Sequence, residues 1–281
     1  MKNDVIIACD FSSAKEAFDF LDLFAAEERK PFLKIGMELY YAEGPEMVRE
    51  LKRRGHRIFL DLKLHDIPNT VRRTMQVLSR LDVDMTNVHA AGTIDMMRAA
   101  REGLTRPDGT RPLLIAVTQL TSTSQERMQR ELLVDASIDE AIAHYARNAR
   151  EAGLDGVVCS PLEASLVKAA CGPEFLAVTP GIRFADAASD DQVRITTPAR
   201  AREIGSDFIV VGRPITAAAD PLGAWHRCLA EFCPETLKNA ESHERYPRKR
   251  HCPRPALHRR RLPPPGAALY LGQRHPESHL L

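Results

Sequence analysis

The sequence is short of the features that mark membrane, secreted and metal-finger proteins. Its N-terminus, "MKNDVIIACDF", has only five consecutive apolar residues before Asp10, and no later stretch approaches the length of a bilayer span. Six cysteines are scattered with no C-x-x-C pair and no finger spacing, so neither a disulfide framework nor a zinc module is expected. Cys9 and Cys159 fall inside apolar runs and read as buried, reduced thiols. The dinucleotide fingerprint G-x-G-x-x-G is absent, which weakens a doubly wound nucleotide-binding sheet. Excess charge of one sign is missing too, with a formal net charge of +1. That average hides an asymmetry. Residues 238–281 hold ten Lys/Arg against three Glu, leaving 29 basic against 35 acidic residues in the first 237. A mildly acidic body is a poor nucleic-acid-binding domain. A cytoplasmic enzyme is the expectation, with no membrane and no nucleic acid among its partners.

What the sequence does have is a recurring unit. Apolar, β-branched runs occur at residues 5–11, 31–37, 58–64, 84–90, 112–120, 154–160, 174–182 and 207–213. Their starts are mostly about 25–35 residues apart, the length of a strand–helix unit. Continuous apolar runs point to strands covered on both faces, as in parallel sheets. Between them lie helical patterns. "SAKEAFDFLDLFAAEER" (13–29) places Ala17, Phe20, Leu21 and Phe24 on one face. "GPEMVRELKRRGH" (44–56) has Pro45 at a first helical position and Gly55 near its end. "SIDEAIAHYARNAREAGLD" (137–155) opens on a Ser-x-x-Glu capping box and ends at Gly153. Eight such units predict a (β/α)₈ barrel over residues 1–237. Residues 238–281, crowded with Arg, His and Pro, predict a disordered tail without a catalytic role.

The third run, "IFLDLKLHDIPNTV", places Asp61, Lys63 and Asp66 at the end of an apolar strand. Strand alternation puts Asp61 and Lys63 on one face, and in this fold the C-terminal strand ends form the mouth where chemistry occurs. Lys34, in "FLKIG", reaches the same mouth from the neighbouring strand. Lys34, Asp61, Lys63 and Asp66 thus form an alternating array in which each charge is compensated by its neighbours. D-x-K alone fits a solvated salt-bridge ladder equally well. Two later loops add weight. "VTPGIR" and "VVGRPI" end the seventh and eighth units, the positions that often build a phosphate site. Gly181 and Gly212 allow close backbone approach, and Arg183 and Arg213 add charge-assisted hydrogen bonds.

Taken together, "FLKIG", "DLKLHDIPNTV", "NVHAAG", "VTQLTS", "VTPGIR" and "VVGRPIT" resemble, in order, the motif set of the orotidine 5′-phosphate decarboxylase family, over residues 5 to about 232. The resemblance implies Lys63 as proton donor, with Asp61 and Asp66 beside the scissile carboxylate and Lys34 at the ribose. It implies Asp10 on a ribose hydroxyl, Thr121 near the base, and Arg183, Gln192, Gly212 and Arg213 at the phosphate. It further implies a homodimer in which Asp66, Ile67 and Thr70 enter the partner's site. No metal or organic cofactor is expected. Two alternatives stay open: a metal-assisted sugar-phosphate decarboxylase or aldolase of the same barrel group, and a non-catalytic nucleotide sensor. His65 is expected to pack outside the mouth and His89 to make a structural hydrogen bond. Ser160 fits either the sixth loop or a cap. Trp225 and Phe232 are expected to be core anchors.

Overall fold

The computed structural model describes residues 3–186 and 196–234. Residues 238–281 and Gln192 lie outside the described residues. Eight parallel strands close into a barrel in sequence order: Asp4–Cys9 (β1), Phe32–Gly36 (β2), Arg57–Leu64 (β3), Met85–His89 (β4), Leu113–Val117 (β5), Gly156–Val158 (β6), Leu176–Thr179 (β7) and Phe208–Val211 (β8). Helices follow the strands: Ala14–Asp22 (α1), Met37–Arg53 (α2), Pro68–Leu78 (α3), Thr93–Leu104 (α4), Gln125–Glu131 (α5), Ile138–Glu151 (α6), Ala164–Cys171 (α7), Pro198–Glu203 (α8), Arg213–Thr216 (α9) and Pro221–Phe232 (α10). Among the described residues no helix is long and apolar enough to cross a membrane.

Strand alternation divides the core in two. Ile6, Phe32, Phe59, Met85, Ile115 and Phe208 point inward and fill the barrel. The alternate residues face the helices, where Phe24 meets Trp225 edge-on at 5.6 Å. Trp225 and Phe232 are buried anchors of α10. Cys9 and Cys159 are buried free thiols, and burial pushes the Cys9 thiol up to about 12.

Local signals act much as the sequence suggests. Ser137 and Glu140 form the capping box of α6, and Gly153 after its end takes φ 80°. The second helix differs. It starts at Met37, directly after β2, and kinks at Gly44, whose φ is 71°. Pro45 opens only its second half. The first half packs little of its own: of Met37–Glu43 only Leu39 is fully buried.

The N-terminal ends of the strands carry a repeated device that local patterning does not reveal. Asp84, Asp155 and Asp207 each stand just before an even-numbered strand, and each accepts a backbone N–H from the preceding odd strand. The donors are Ile58, Leu114 and Ala177. Each carboxylate also pairs with a cation from the surrounding shell: Lys52, Arg111 and Lys168 respectively. Asp4, at the start of β1, pairs with Arg29 and Arg57. These pairs close the end of the barrel opposite the mouth. Asp207 is 6% exposed and sits 2.5 Å from Lys168. Its truncation would leave the Lys168 ammonium with only the Pro173 and Phe175 carbonyls and no counter-charge, and would remove the acceptor of the Ala177 N–H. Asp207→Ala is therefore expected to lower stability by about 3–5 kcal/mol in urea unfolding; an unchanged midpoint would show that the pair does not hold this end together.

Candidate active site

At the C-terminal ends of β1 to β3 four charges meet. The Lys34 ammonium lies 2.8 Å from Asp10 Oδ1 and 3.5 Å from Asp61 Oδ2. Lys63 Nζ lies 2.8 Å from Asp61 Oδ1. Asp61 thus bridges two ammonium groups, one on each oxygen. The Lys34 and Asp61 side chains are each 11% exposed, against 25% for Lys63 and 60% for Asp10. The array grades from desolvated to open.

Burial and pairing compete here. Desolvation opposes charge on Asp61, but Lys34, Lys63 and hydrogen bonds from Lys63 and Asn87 outweigh it and hold the carboxyl below its ordinary 3.8. Desolvation likewise opposes charge on Lys34, while Asp61 and Asp10 hold its pKa above the ordinary 10.5. Both groups are therefore ionised near neutrality.

Asn87, on β4, was not singled out from sequence. It donates to Asp61 Oδ1 at 2.6 Å and accepts the Lys63 N–H at 2.8 Å. The signal was faint, one of several polar residues (Asp84, Thr86, Asn87 and His89) in the run "DMTNVHA". The alternation argument for Asp61 and Lys63 needs a second amendment. β3 is bulged between Leu60 and Leu64, and Lys63 takes φ 51°, so its side chain does not follow regular strand geometry.

A cavity of about 220 Å³ opens over the array. Lys34, Asp61 and Lys63 line it together with Gln119, Thr121 and Pro180. Larger space, about 860 Å³, exists at the opposite end of the barrel beside Arg80 and Arg106. It is the more open of the two and holds none of the array. Around the mouth, Gly181 takes φ 85°, a conformation natural to glycine. Gly212 precedes α9, and a Cβ there would meet only Ala8, at an ordinary 3.6 Å. Side-chain packing within the chain does not demand that glycine. Arg213 is the first residue of α9, and Arg183 Nη1 donates to the Ile182 carbonyl at 2.8 Å.

Asp66 is not brought into the cavity by its own chain. Its Oδ1 accepts the Ile67 N–H at 2.6 Å, and it lines a second depression of about 280 Å³ with His65, Thr70 and Tyr41. Lys63 borders both spaces. The array within one chain is therefore Asp10, Lys34, Asp61 and Lys63. His89 has the His65 ring beside it, centroids 5.8 Å apart, in place of the hydrogen bond expected of it. Ser160 precedes a short turn, where its N–H donates to Glu163 at 2.8 Å.

The sequence profile of the orotidine 5′-phosphate decarboxylase / HUMPS family matches residues 3–228. The chain belongs to that family. It is 59% identical over 227 residues to the orotidine 5′-phosphate decarboxylase of Streptococcus pneumoniae (strain ATCC 700669 / Spain 23F-1), covering 81% of this chain and 95% of that protein. The orotidine 5′-phosphate decarboxylase of Streptococcus thermophilus is 56% identical over 231 residues, covering 82% and 98%. Among solved structures, the crystal structure of orotidine 5′-phosphate decarboxylase from Lactobacillus acidophilus superposes with a TM-score of 0.74 at 39% identity, covering 82% of this chain and 99% of that one. The profile spans every residue of the decarboxylase-family array and both glycine–arginine loops, and it ends before residue 238.

The pKa directions set the pH window of the array. Asp61 is depressed in the folded state, so its contribution to stability is in place above about pH 3.8 and is lost as pH falls through the folded value. Lys34 is raised, so its contribution holds below about 10.5 and is lost as pH rises through the folded value. A carbon-13 titration should therefore find the Asp61 carboxyl midpoint below 3.8. A midpoint at or above that value contradicts the pairing.

Proposed function

We propose that the chain converts orotidine 5′-phosphate to uridine 5′-monophosphate and CO₂ in pyrimidine biosynthesis, as a cytoplasmic homodimer using no metal or organic cofactor. The observation that carries this reading is the Lys63 ammonium held 2.8 Å from Asp61 at the cavity, with Lys34 on the other carboxylate oxygen. Breaking the bond between ring carbon 6 and the carboxylate releases neutral CO₂ and leaves an electron pair that the pyrimidine ring delocalises poorly. A fixed ammonium stabilises that charge as it develops. The carbon then takes the Lys63 proton, and Lys63 regains one from water. Asp61, kept ionised by its two lysines, faces the substrate carboxylate; the repulsion between them ends when CO₂ leaves.

The remaining residues supply binding energy and position. In this reading Asp10 and Lys34 hold the ribose and Thr121 approaches the base. Arg183, Gln192, Gly212 and Arg213 receive the phosphate, whose distant clamp keeps the reacting end aligned. Asp66, Ile67 and Thr70 serve the partner's site. Their exposure on the chain supports that role. Ile67 is 66% and Tyr41 72% exposed beside the depression that Asp66 and Thr70 line. Exposed apolar groups around a carboxylate suit burial against a second copy.

Orotidine monophosphate absorbance should fall on adding protein, with a chelator present, while Lys63→Ala loses more than about 10⁴-fold in rate yet still binds uridine monophosphate. Binding without turnover in the wild type would favour a nucleotide sensor, and turnover abolished by the chelator would favour the metal-assisted reading.

Shared sites make a second prediction. Mixing inactive Lys63→Ala and Asp66→Asn chains after unfolding and refolding should restore about a quarter of wild-type activity, because half of the dimers are mixed and each carries one intact site. No recovery would mean that Asp66 acts within its own chain.

A further inference from the structure

β3 runs two residues longer than β4 between paired positions. Leu60 stands opposite Thr86 and Leu64 opposite Val88. Asp61 and Lys63 lie inside this irregularity. A bulge strips backbone groups of their ladder partners, and a buried N–H needs another acceptor. Lys63 also occupies the left-handed region at φ 51°, disfavoured for a residue with a Cβ.

One side chain answers both needs. Asn87 is fully buried at 0% exposure and projects from β4 toward the bulge. Its Oδ1 accepts the Lys63 N–H at 2.8 Å, and its Nδ2 donates to Asp61 Oδ1 at 2.6 Å. The donor and acceptor assignment follows from the partners. A backbone N–H can only donate, and an ionised carboxylate can only accept. The same Asp61 oxygen receives the Lys63 ammonium at 2.8 Å. The amide therefore clasps Lys63 at both ends, directly through its backbone and indirectly through the carboxylate that binds its side chain. A hydroxyl is too short to span the two, and a carboxylate would set like charges together.

We propose that Asn87 is a positioning residue for the decarboxylation, holding the Lys63 backbone in the bulge and the Asp61 carboxylate at the angle that aims the ammonium at the reacting carbon. The role rests on the decarboxylase reading of the site. The charged and titratable groups around it are Asp61 and Lys63 on β3, Lys34 on β2 across Asp61, His89 on its own strand, and His65 against His89. Its neighbour on β5 is Ile115, which is apolar.

Asn87→Asp separates positioning from bulk structure. The new carboxyl keeps an acceptor for the Lys63 N–H but, when ionised, repels Asp61. When protonated, it donates as the amide does. Expected is a kcat about 10²-fold below wild type at pH 8, with the ratio of variant to wild type climbing as pH falls and the carboxyl takes up its proton. KM should change less than kcat. Asn87→Ala, lacking both bonds, should lose a similar factor with no recovery at low pH. Should either variant fail to fold, the other decides: the rising ratio for Asn87→Asp, the kcat-against-KM split for Asn87→Ala. A variant that matches wild type in kcat at every pH, or loses activity only in proportion to folded protein, overturns the role while leaving the decarboxylase reading intact. A wild type that does not consume orotidine monophosphate overturns the reading itself.

Discussion

The Asp61 carboxylate lies between two ammonium groups, and much of the mouth depends on that placement. Lys34, only 11% exposed, relies on Asp61 and Asp10 to offset the cost of burying its charge, and Lys63 pairs with the other oxygen of Asp61. Asp61 in turn stays ionised despite burial because each of its oxygens meets a cation. The arrangement places one carboxylate and two ammonium groups at the wall of the same cavity. A part-buried ammonium and a buried carboxylate are each poor choices for stability when alone. Together they are mutually supporting.

The barrel divides its labour between its two ends. Asp84, Asp155 and Asp207 close the N-terminal end by joining adjacent strands and tying them to shell cations. Those three carboxylates are committed to internal bonds. At the mouth, Asp10 is well exposed, Gly181 takes a positive φ, and a Cβ at Gly212 would meet only Ala8. Backbone strain is present within the charged array itself. Lys63 sits at positive φ within a bulge and is held there by Asn87. Strained backbone persists only where surrounding bonds over-determine it, and functional sites are where it tends to concentrate.

Some features were legible in sequence because their cause is local. A run such as "DFIVVGR" has one reasonable fate, and Ser137 caps a helix with a residue three positions away. The start of α2 was missed because "GMELYYAE" buries only Leu39 of its first turns, leaving no apolar stripe to read. The ladder of aspartates escaped for another reason: Asp155 pairs with Arg111, and nothing near either residue announces the other. Asn87 was passed over as one polar residue in a strand. Its partners lie 24 and 26 positions earlier.

By itself the sequence determined the eight strand–helix units, and with them which end of each strand forms the mouth. It also determined the charges "DLKLHD" brings there. Periodicity and chain direction settle those points, and both are properties of neighbouring residues. Only the tertiary structure decided how the charges are aimed. The bulge exists because β3 and β4 disagree in register, and register belongs to a pair of strands. The same holds for Asp66. Its sequence neighbours suggested one array of four, but the turn after β3 directs it out of its own cavity and into the neighbouring depression lined by His65, Thr70 and Tyr41.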